Sequence, residues 1–442
     1  MSDDCVGVGA EVVFGHYVDY NGDLQDVKWM IAEKLADGTY ALQSEGVSCG
    51  YWPGYVANGY KDYNTSFIYK NIAGPYDTED NDKYTHSDKN LNLTALYAGI
   101  RYAEAPGGFN DSGEWIAGDE YKNGLYLLPF HHPFGNSHYN LVGNNEYLAT
   151  AFKKAASNKY KLSGNVGCQC VWMGSPYSYP NGTNIVTIET NGSANYTFSE
   201  NAELVIAPTF NIDASKVSIT VKNNEYHIVP KGFQKGGEYE MGTFVESSGG
   251  EVKPVKWICA DVNDEYIVMQ SEGITNSIGP AVNGATSDST YTDISSMNSS
   301  LKLLYHEWKS AEANGGRTEA GIWKSGTNIS KDGLYLIGKN DIADILWGTN
   351  APYPQKGMVL TPYYYALHNA AGAHSSVGTD KKYAWLGTFS KSNSISKYVW
   401  TISVYGSMSD IQTTDNNVLA PAFNLDPNKV NVIDGVITKK AS

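Results

Sequence analysis

YAWLGTFSKSNSISKYVWTISVYGSMSDIQTTDNNVLAPAFNLDPNKV, residues 383–430, decides how this chain is built, because an earlier stretch repeats its plan. The earlier stretch opens with CVWMGSPYSYPNGTNIVTIETNGSANY at Cys170 and closes with VIAPTFNIDASKV. Trp172 thus matches Trp385, and Ala207-Pro208-Thr209-Phe210-Asn211 matches Ala420-Pro421-Ala422-Phe423-Asn424. In both copies the Trp precedes the Ala-Pro pair by 35 residues. A constant span between a Trp and a Phe of the kind proteins bury, filled with Ser, Thr, Asn, Tyr and Gly, describes a fixed frame carrying a varied surface.

Working outward, the duplication extends upstream. FGHY (14–17), a turn at Asn21-Gly22 and VKWMIAEKLADGTYALQSEGV (27–47) match MGTF (241–244), a turn at Gly249-Gly250 and VKWICADVNDEYIVMQSEGI (255–274). Apolar residues alternate around Trp29 and Trp257, which predicts a β-hairpin in each copy, with Ser-Glu-Gly at 44–46 and 271–273 ending the returning strand. Helical spacing follows, in Leu93, Leu96, Tyr97 and Ile100 and again in Leu301, Leu304, Tyr305 and Trp308. Gly124 and Gly333 each precede a Leu-Tyr-Leu strand, and a second helix is expected after it, in copy two with Thr361 as N-cap and Pro362 at the first helical position. The charged, Gly-bearing stretch 229–240 reads as the joint, giving two domains, 1–230 and 236–442.

A length of 442 residues suits two domains. The net charge of −15 argues against nucleic acid or an anionic membrane as partner, since phosphate binding needs surplus Lys and Arg. Thirty-three Tyr, 10 Trp and 45 Gly with only 18% charged residues match the vocabulary of recognition surfaces. The acidic N-terminus lacks the features of a signal peptide, and no stretch is apolar enough to span a bilayer. The odd set Cys5, Cys49, Cys168, Cys170 and Cys259 points to free thiols and synthesis in a reducing cytoplasm. His131, His132, His368 and His374 share no ligand spacing between copies, and Asp77, Glu79, Asp80 and Asp82 lack the central Gly and terminal Glu of an EF-hand, so no metal or other cofactor is expected.

The VKWxIxE…LQSEGV hairpin, the GLYL strand, the Trp followed by Gly, and the closing APAFNLD together resemble a bacterial and phage family of uncharacterised domains whose usual ending reads WLRSP…RPAFNL. That family is similar in fold to C-type lectins and to formylglycine-generating enzymes, so the resemblance implies an α+β fold of two tandem C-type-lectin-like domains. Where the family carries arginines this chain has Gly174, Gly387, Ala207 and Ala420. The fold class also includes variable proteins of diversity-generating retroelements, which implies a receptor-binding or ligand-binding protein on a virion or cell surface, with a protein or carbohydrate as its partner. No cysteine follows Cys259, which argues against the oxygenase chemistry of the formylglycine-generating group. Asp426 recurs as Asp213 and reads as a turn cap, not half of an acid/base pair. A non-enzymatic binder is therefore expected, with a structural virion decoration or scaffold protein as the alternative.

Strand alternation in ISKYVWTISVYGSMSDI places Tyr398, Trp400, Ile402 and Val404 on one side and Val399, Thr401, Ser403 and Tyr405 on the other. Packing the more apolar set inward leaves Thr401, Ser403 and Tyr405 as the binding face, joined by Phe389, Lys391, Ser392, Asn393, Asp410 and Gln412. A one-residue slip would exchange the sets and expose Tyr398 and Trp400.

Overall fold

The computed structural model describes residues 6–35, 37–50, 91–109, 115–118, 124–128, 145–163, 170–176, 184–199, 203–245, 252–278, 292–295, 297–317, 323–325, 333–338, 362–373, 383–392, 397–403 and 408–441. They fall into two compact units that meet in the sequence at Val229/Pro230.

The first unit runs through β1 (Glu11–Val18), β2 (Leu24–Lys34), β3 (Tyr40–Ser44), β4 (Ser48–Gly50), α1 (Leu91–Ile100) and a short ribbon, β5 (Gly107–Phe109) with β6 (Trp115–Ala117). It continues with α2 (Glu146–Ser157), α3 (Lys159–Ser163), β7 (Cys170–Pro176), β8 (Asn184–Glu189), β9 (Ala194–Ser199), β10 (Leu204–Ile206), β11 (Thr209–Ile212), β12 (Val217–Lys222) and β13 (Glu225–Pro230). Two sheets result, ordered β11-β3-β2-β1-β13-β12 and β4-β10-β7-β8-β9. Trp29 and Phe210 from the first sheet meet Trp172, Ile185 and Ile206 from the second in one core with the apolar stripe of α1. A separate apolar cluster joins Leu148 and Phe152 of α2 to Val171, Val186 and Ile188 on the second sheet.

The second unit repeats this order: β14 (Glu238–Val245), β15 (Val252–Val262), β16 (Ile267–Ser271), β17 (Thr275–Ile278), β18 (Thr292–Asp293) and α4 (Ser299–Trp308). A ribbon follows, β19 (Gly315–Arg317) with β20 (Trp323–Ser325), then β21 (Tyr335–Leu336) and α5 (Pro362–Ala373). The chain closes with β22 (Tyr383–Ser392), β23 (Lys397–Ser403), β24 (Met408–Gln412), β25 (Asn416–Leu419), β26 (Ala422–Leu425), β27 (Val430–Ile433) and β28 (Val436–Lys439). Its sheets, β18-β21-β26-β16-β15-β14-β28-β27 and β17-β25-β22-β23-β24, keep the strand orders of the first unit, with β18 and β21 added beyond β26.

The expected α+β class is corrected: the described residues are mostly β, with 50% strand against 21% helix. The reason is local. Two of the helices, α1 and α4, span only 10 residues each, while segments for which the sequence predicts no element form additional strands. β12 and β13 follow the first APTFN motif, β27 and β28 follow the second, and β13 and β28 each pair in parallel with the first strand of their own unit. The joint is likewise built structure. Gly236 donates to the Cys259 carbonyl and Cys259 to the Gly237 carbonyl, at 2.7 and 2.9 Å, just as Gly9 donates to Ile31 and Ile31 to Ala10 in the first unit.

Each recurring motif has a bonding reason. The indole N–H of Trp29 donates to the Phe14 carbonyl at 2.7 Å, and that of Trp257 to the Met241 carbonyl at 2.8 Å. The Tyr of each GLYL segment donates its hydroxyl to the Asn of the closing motif, Tyr126 to Asn211 at 3.1 Å and Tyr335 to Asn424 at 2.8 Å. A glutamate just after the first helix of each unit, buried in unit one and half-buried in unit two, accepts from that helix's tyrosine, Tyr97 to Glu104 at 2.8 Å and Tyr305 to Glu312 at 3.1 Å, and from the backbone N–H of Gly124 or Gly333. Asp213 and Asp426 cap their turns, accepting from Ser215 N and Asn428 N, each at 2.9 Å.

One internal difference yields a prediction. Gln43 and Gln270 both donate to the carbonyl of the Ala-Pro pair, to Ala207 at 2.9 Å and to Ala420 at 2.6 Å. Thr209 returns a bond to Gln43 Oε1 at 2.7 Å, but its counterpart is Ala422, and the buried Gln270 Oε1 has no partner among the described residues. Ala422→Thr should therefore stabilise the second unit by about 1 kcal/mol, since it satisfies a buried acceptor. Urea melts check it, and a loss of stability would mean the site cannot admit the hydroxyl.

Candidate functional site

The three outer strands of the second sheet in unit two position the residues singled out in the sequence. β22 pairs antiparallel with β23, Trp385 opposite Thr401, and β23 with β24, Tyr398 opposite Gln412 and Trp400 opposite Asp410. Directly opposed residues share a face, so Tyr398, Trp400, Asp410 and Gln412 form one group. All four are partly exposed. Gln412 Nε2 donates to the Tyr398 hydroxyl at 3.0 Å, and Ser390 Oγ donates to Asp410 Oδ2 at 2.9 Å. Further along the same face Ile402 and Met408 are buried, and α5 packs on β22 and β23.

The alternation expected for β23 is reversed at Tyr398–Thr401, while Ile402 is buried as expected. Thr401 and Ser403, assigned to the binding face, are 0% and 2% exposed, and Val399 lies in the core with Trp385. Tyr398 and Trp400, assigned inward, are on the accessible side, as the one-residue slip required. The physical reason lies in the frame: Thr401 Oγ1 donates to the Ser409 carbonyl at 3.0 Å, and in unit one Thr187, opposite Trp172, donates to the Asn195 carbonyl at 3.3 Å. The Trp–Thr cross-strand pair is duplicated, and matching Thr187 to Thr401 in the sequence would have fixed the register. Phe389, Lys391 and Ser392 lie in β22, opposite Val399, Tyr398 and Lys397, with side chains outside the described set. Asn393 and Tyr405 lie outside the described residues, as do His131, His132, His374 and the acidic stretch at Asp77.

Counting back from the shared Thr gives the sharpest contrast between the units. Trp400 corresponds to Val186 and Tyr398 to Asn184. The same backbone position carries a buried aliphatic in one unit and a partly exposed indole in the other.

Several other described ionisable groups serve structure. His368 is buried in α5, its ring 5.9 Å from that of Tyr364. Cys49, Cys170 and Cys259 are buried, and burial pushes the Cys259 thiol up. In unit one Lys154 of α2 bonds both Glu11 of β1 and Glu45 after β3, the latter at 2.7 Å, while Lys28 lies 3.5 Å from Glu11. Burial raises Glu45, with the charge of Glu11 adding to it. At Glu11 burial acts the same way but is outweighed by the hydrogen bonds from Lys154 and Glu45 and by the lysine charges, which hold it below its ordinary value. The Ser-Glu-Gly tripeptide thus ends a strand, as expected, and also anchors a helix.

Glu33 behaves differently. Its counterpart Asp261 has Lys235 at 3.6 Å and the Tyr266 hydroxyl at 3.0 Å, but unit one has Val8 and Thr39 at those places. Glu33 Oε2 is buried without a hydrogen-bond partner among the described residues, and burial pushes the carboxyl up from 4.5 to about 7. Because the folded state holds this proton more tightly, the contribution to stability is complete below pH 4.5 and is lost as pH rises through 7. After allowance for solvent screening the loss is about 1 kcal/mol. Glu33→Gln should remove that slope in melts between pH 5 and 8; an unchanged slope would assign it to another group.

No family model, curated protein or solved structure matches the chain. Among the described residues no helix is long and apolar enough to cross a membrane.

Proposed function

We propose that the chain is a non-enzymatic binding protein that recognises a protein or carbohydrate on a cell surface through the Tyr398, Trp400, Asp410 and Gln412 face of its second unit. The observation that carries this reading is the aromatic pair set where unit one has Asn184 and Val186, beside a Trp–Thr cross-strand pair that both units share. Large aromatic side chains left accessible beside polar partners supply contact area at low entropic cost, and such anchors contribute about 2 kcal/mol or more to binding where they are used. The resemblance of the hairpin and closing motifs to a bacterial and phage domain family supports display on a virion or cell surface, with retroelement diversification of the face as the specific version of that role.

The test is direct binding of the purified full chain to intact bacterial cells and to glycan arrays. Saturable binding is expected. Stable incorporation into phage particles with no binding to either would overturn the reading in favour of a scaffold.

A further inference from the structure

Glu33 has an unused donor on its own sheet face. It stands directly opposite Ala41 of β3, and Ala41 stands directly opposite Asn211 of β11, so the three share one side of the sheet. Asn211 is 4% exposed, and its Oδ1 accepts from the Tyr126 hydroxyl. Its Nδ2, like Glu33 Oε2, is buried without a hydrogen-bond partner among the described residues. An acceptor and a donor are thus both unpaired, on either side of an alanine. Two strand spacings put the Glu33 and Asn211 Cα atoms about 10 Å apart, which an extended Glu, an Asn and one hydrogen bond can span.

Unit two keeps the pattern and closes off this pairing. Asp261, Val268 and Asn424 hold the same three places, again in direct opposition. Asp261 is one methylene shorter and is engaged by Lys235 and by the Tyr266 hydroxyl. Val268, fully buried, puts an isopropyl group where unit one has a methyl. The longer acid, the smaller middle residue and the two unpaired atoms occur together in unit one alone.

We infer that Glu33 and Asn211 form a pH-operated latch in unit one: the ionised carboxylate crosses Ala41 to accept from Asn211 Nδ2, tying β2 to β11, and protonation releases it. The arrangement with both atoms unpaired is the released form. A carboxylate gains about twice as much from an N–H donor as a neutral carboxyl does, so ionisation drives the crossing. The surroundings leave the latch to these two residues. Burial pushes the Tyr126 hydroxyl up, the Asn211 bond offsets part of that, and the Glu33 charge adds to it. At α2, Asn145 donates to the Ala32 carbonyl at 3.1 Å and Glu146 is exposed. On β2 itself Lys34 holds its ammonium 5.4 Å from the centroid of the Tyr40 ring. Burial is what raises Glu33, to about 7, so the released form prevails below neutral pH and the latched form above it.

The experiment is NMR on the full chain labelled with 15N-asparagine, following the Asn211 side-chain amide, assigned by its absence in Asn211→Asp, from pH 5 to pH 8. Expected is a downfield shift with a midpoint near 7. Glu33→Gln, which does not ionise, should abolish it. Glu33→Asp, which ionises but is too short to cross, and Ala41→Val, which writes the unit-two residue between the partners, should each abolish it as well, with thermal melts checking that the variants fold. A fixed Asn211 signal in the wild type would overturn the inference. So would an undiminished shift in Glu33→Asp or in a folded Ala41→Val, which would show the charge acting through space without the bond.

Discussion

Trp385→Ala and Phe423→Ala are each expected to cost the second unit about 3–5 kcal/mol, the range for removing a large aromatic from a packed core. Both side chains are 0% exposed and belong to one cluster with Trp257, Leu304 and Val399. The Phe423 ring stands edge-on to Tyr305, with centroids 6.3 Å apart. The cavity left behind has little room to collapse, because its walls are strands held in register: β26 pairs with β16, and β22 pairs with β23 and β25. Phe210 holds the same place in unit one, within 6.5 Å of Phe14, Trp29 and Tyr97. Denaturant melts of the full chain, followed by near-ultraviolet signals, decide the matter. A loss below about 1 kcal/mol for either variant would mean that the recurring aromatics do not form the frame.

Gly242→Ala should be the most damaging small change, at roughly 2–4 kcal/mol. Gly242 has φ +69° at the point where the β14–β15 register shifts, and a Cβ there would strike Leu304 Cδ1 and approach Trp308 Nε1 at 2.8 Å. Gly15 repeats the arrangement, with φ +74° and Leu96 and Ile100 in the way. The left-handed backbone costs an L-residue about 1 kcal/mol, and overpacking of the helix on the strand adds about 1–3 kcal/mol. Gly38→Ala separates the two contributions, since Gly38 has φ +88° but nothing within 4 Å of the added carbon, so it should cost only the backbone part. Equal losses at Gly242 and Gly38 would show that the close approach of α4 to β14 contributes nothing.

Much of the frame was legible because burial and hydrogen bonding constrain both copies alike. The Trp-to-Ala-Pro span, the paired hairpins, the GLYL strands and the Asp turn caps all repeat, and each has a bonding partner that explains the repeat. What escaped were features whose partners lie far away in sequence. The strands β12, β13, β27 and β28 are short and polar on their outward side, and only pairing with a distant first strand identifies them, which is why the class was read as richer in helix than it is. The face of β23 was misread because apolarity alone assigned the inward set. Thr401 is polar, yet it is buried by a backbone hydrogen bond to the next strand, whereas Trp400 is apolar yet partly exposed. Two residues of the expected face, Asp410 and Gln412, come together with Tyr398 and Trp400, which the expected register had turned inward; Thr401 and Ser403 do not join them.

The central claim is that the two units share a frame and differ in what the outer strands present. It is tested most directly by writing the unit-one residues into unit two, as the double variant Tyr398→Asn/Trp400→Val, and measuring its binding to intact bacterial cells beside its melting temperature. The account predicts at least about tenfold weaker binding, the loss of one aromatic anchor or more, with the melt shifted by no more than about 2 °C. Undiminished binding by a variant that melts normally would contradict it.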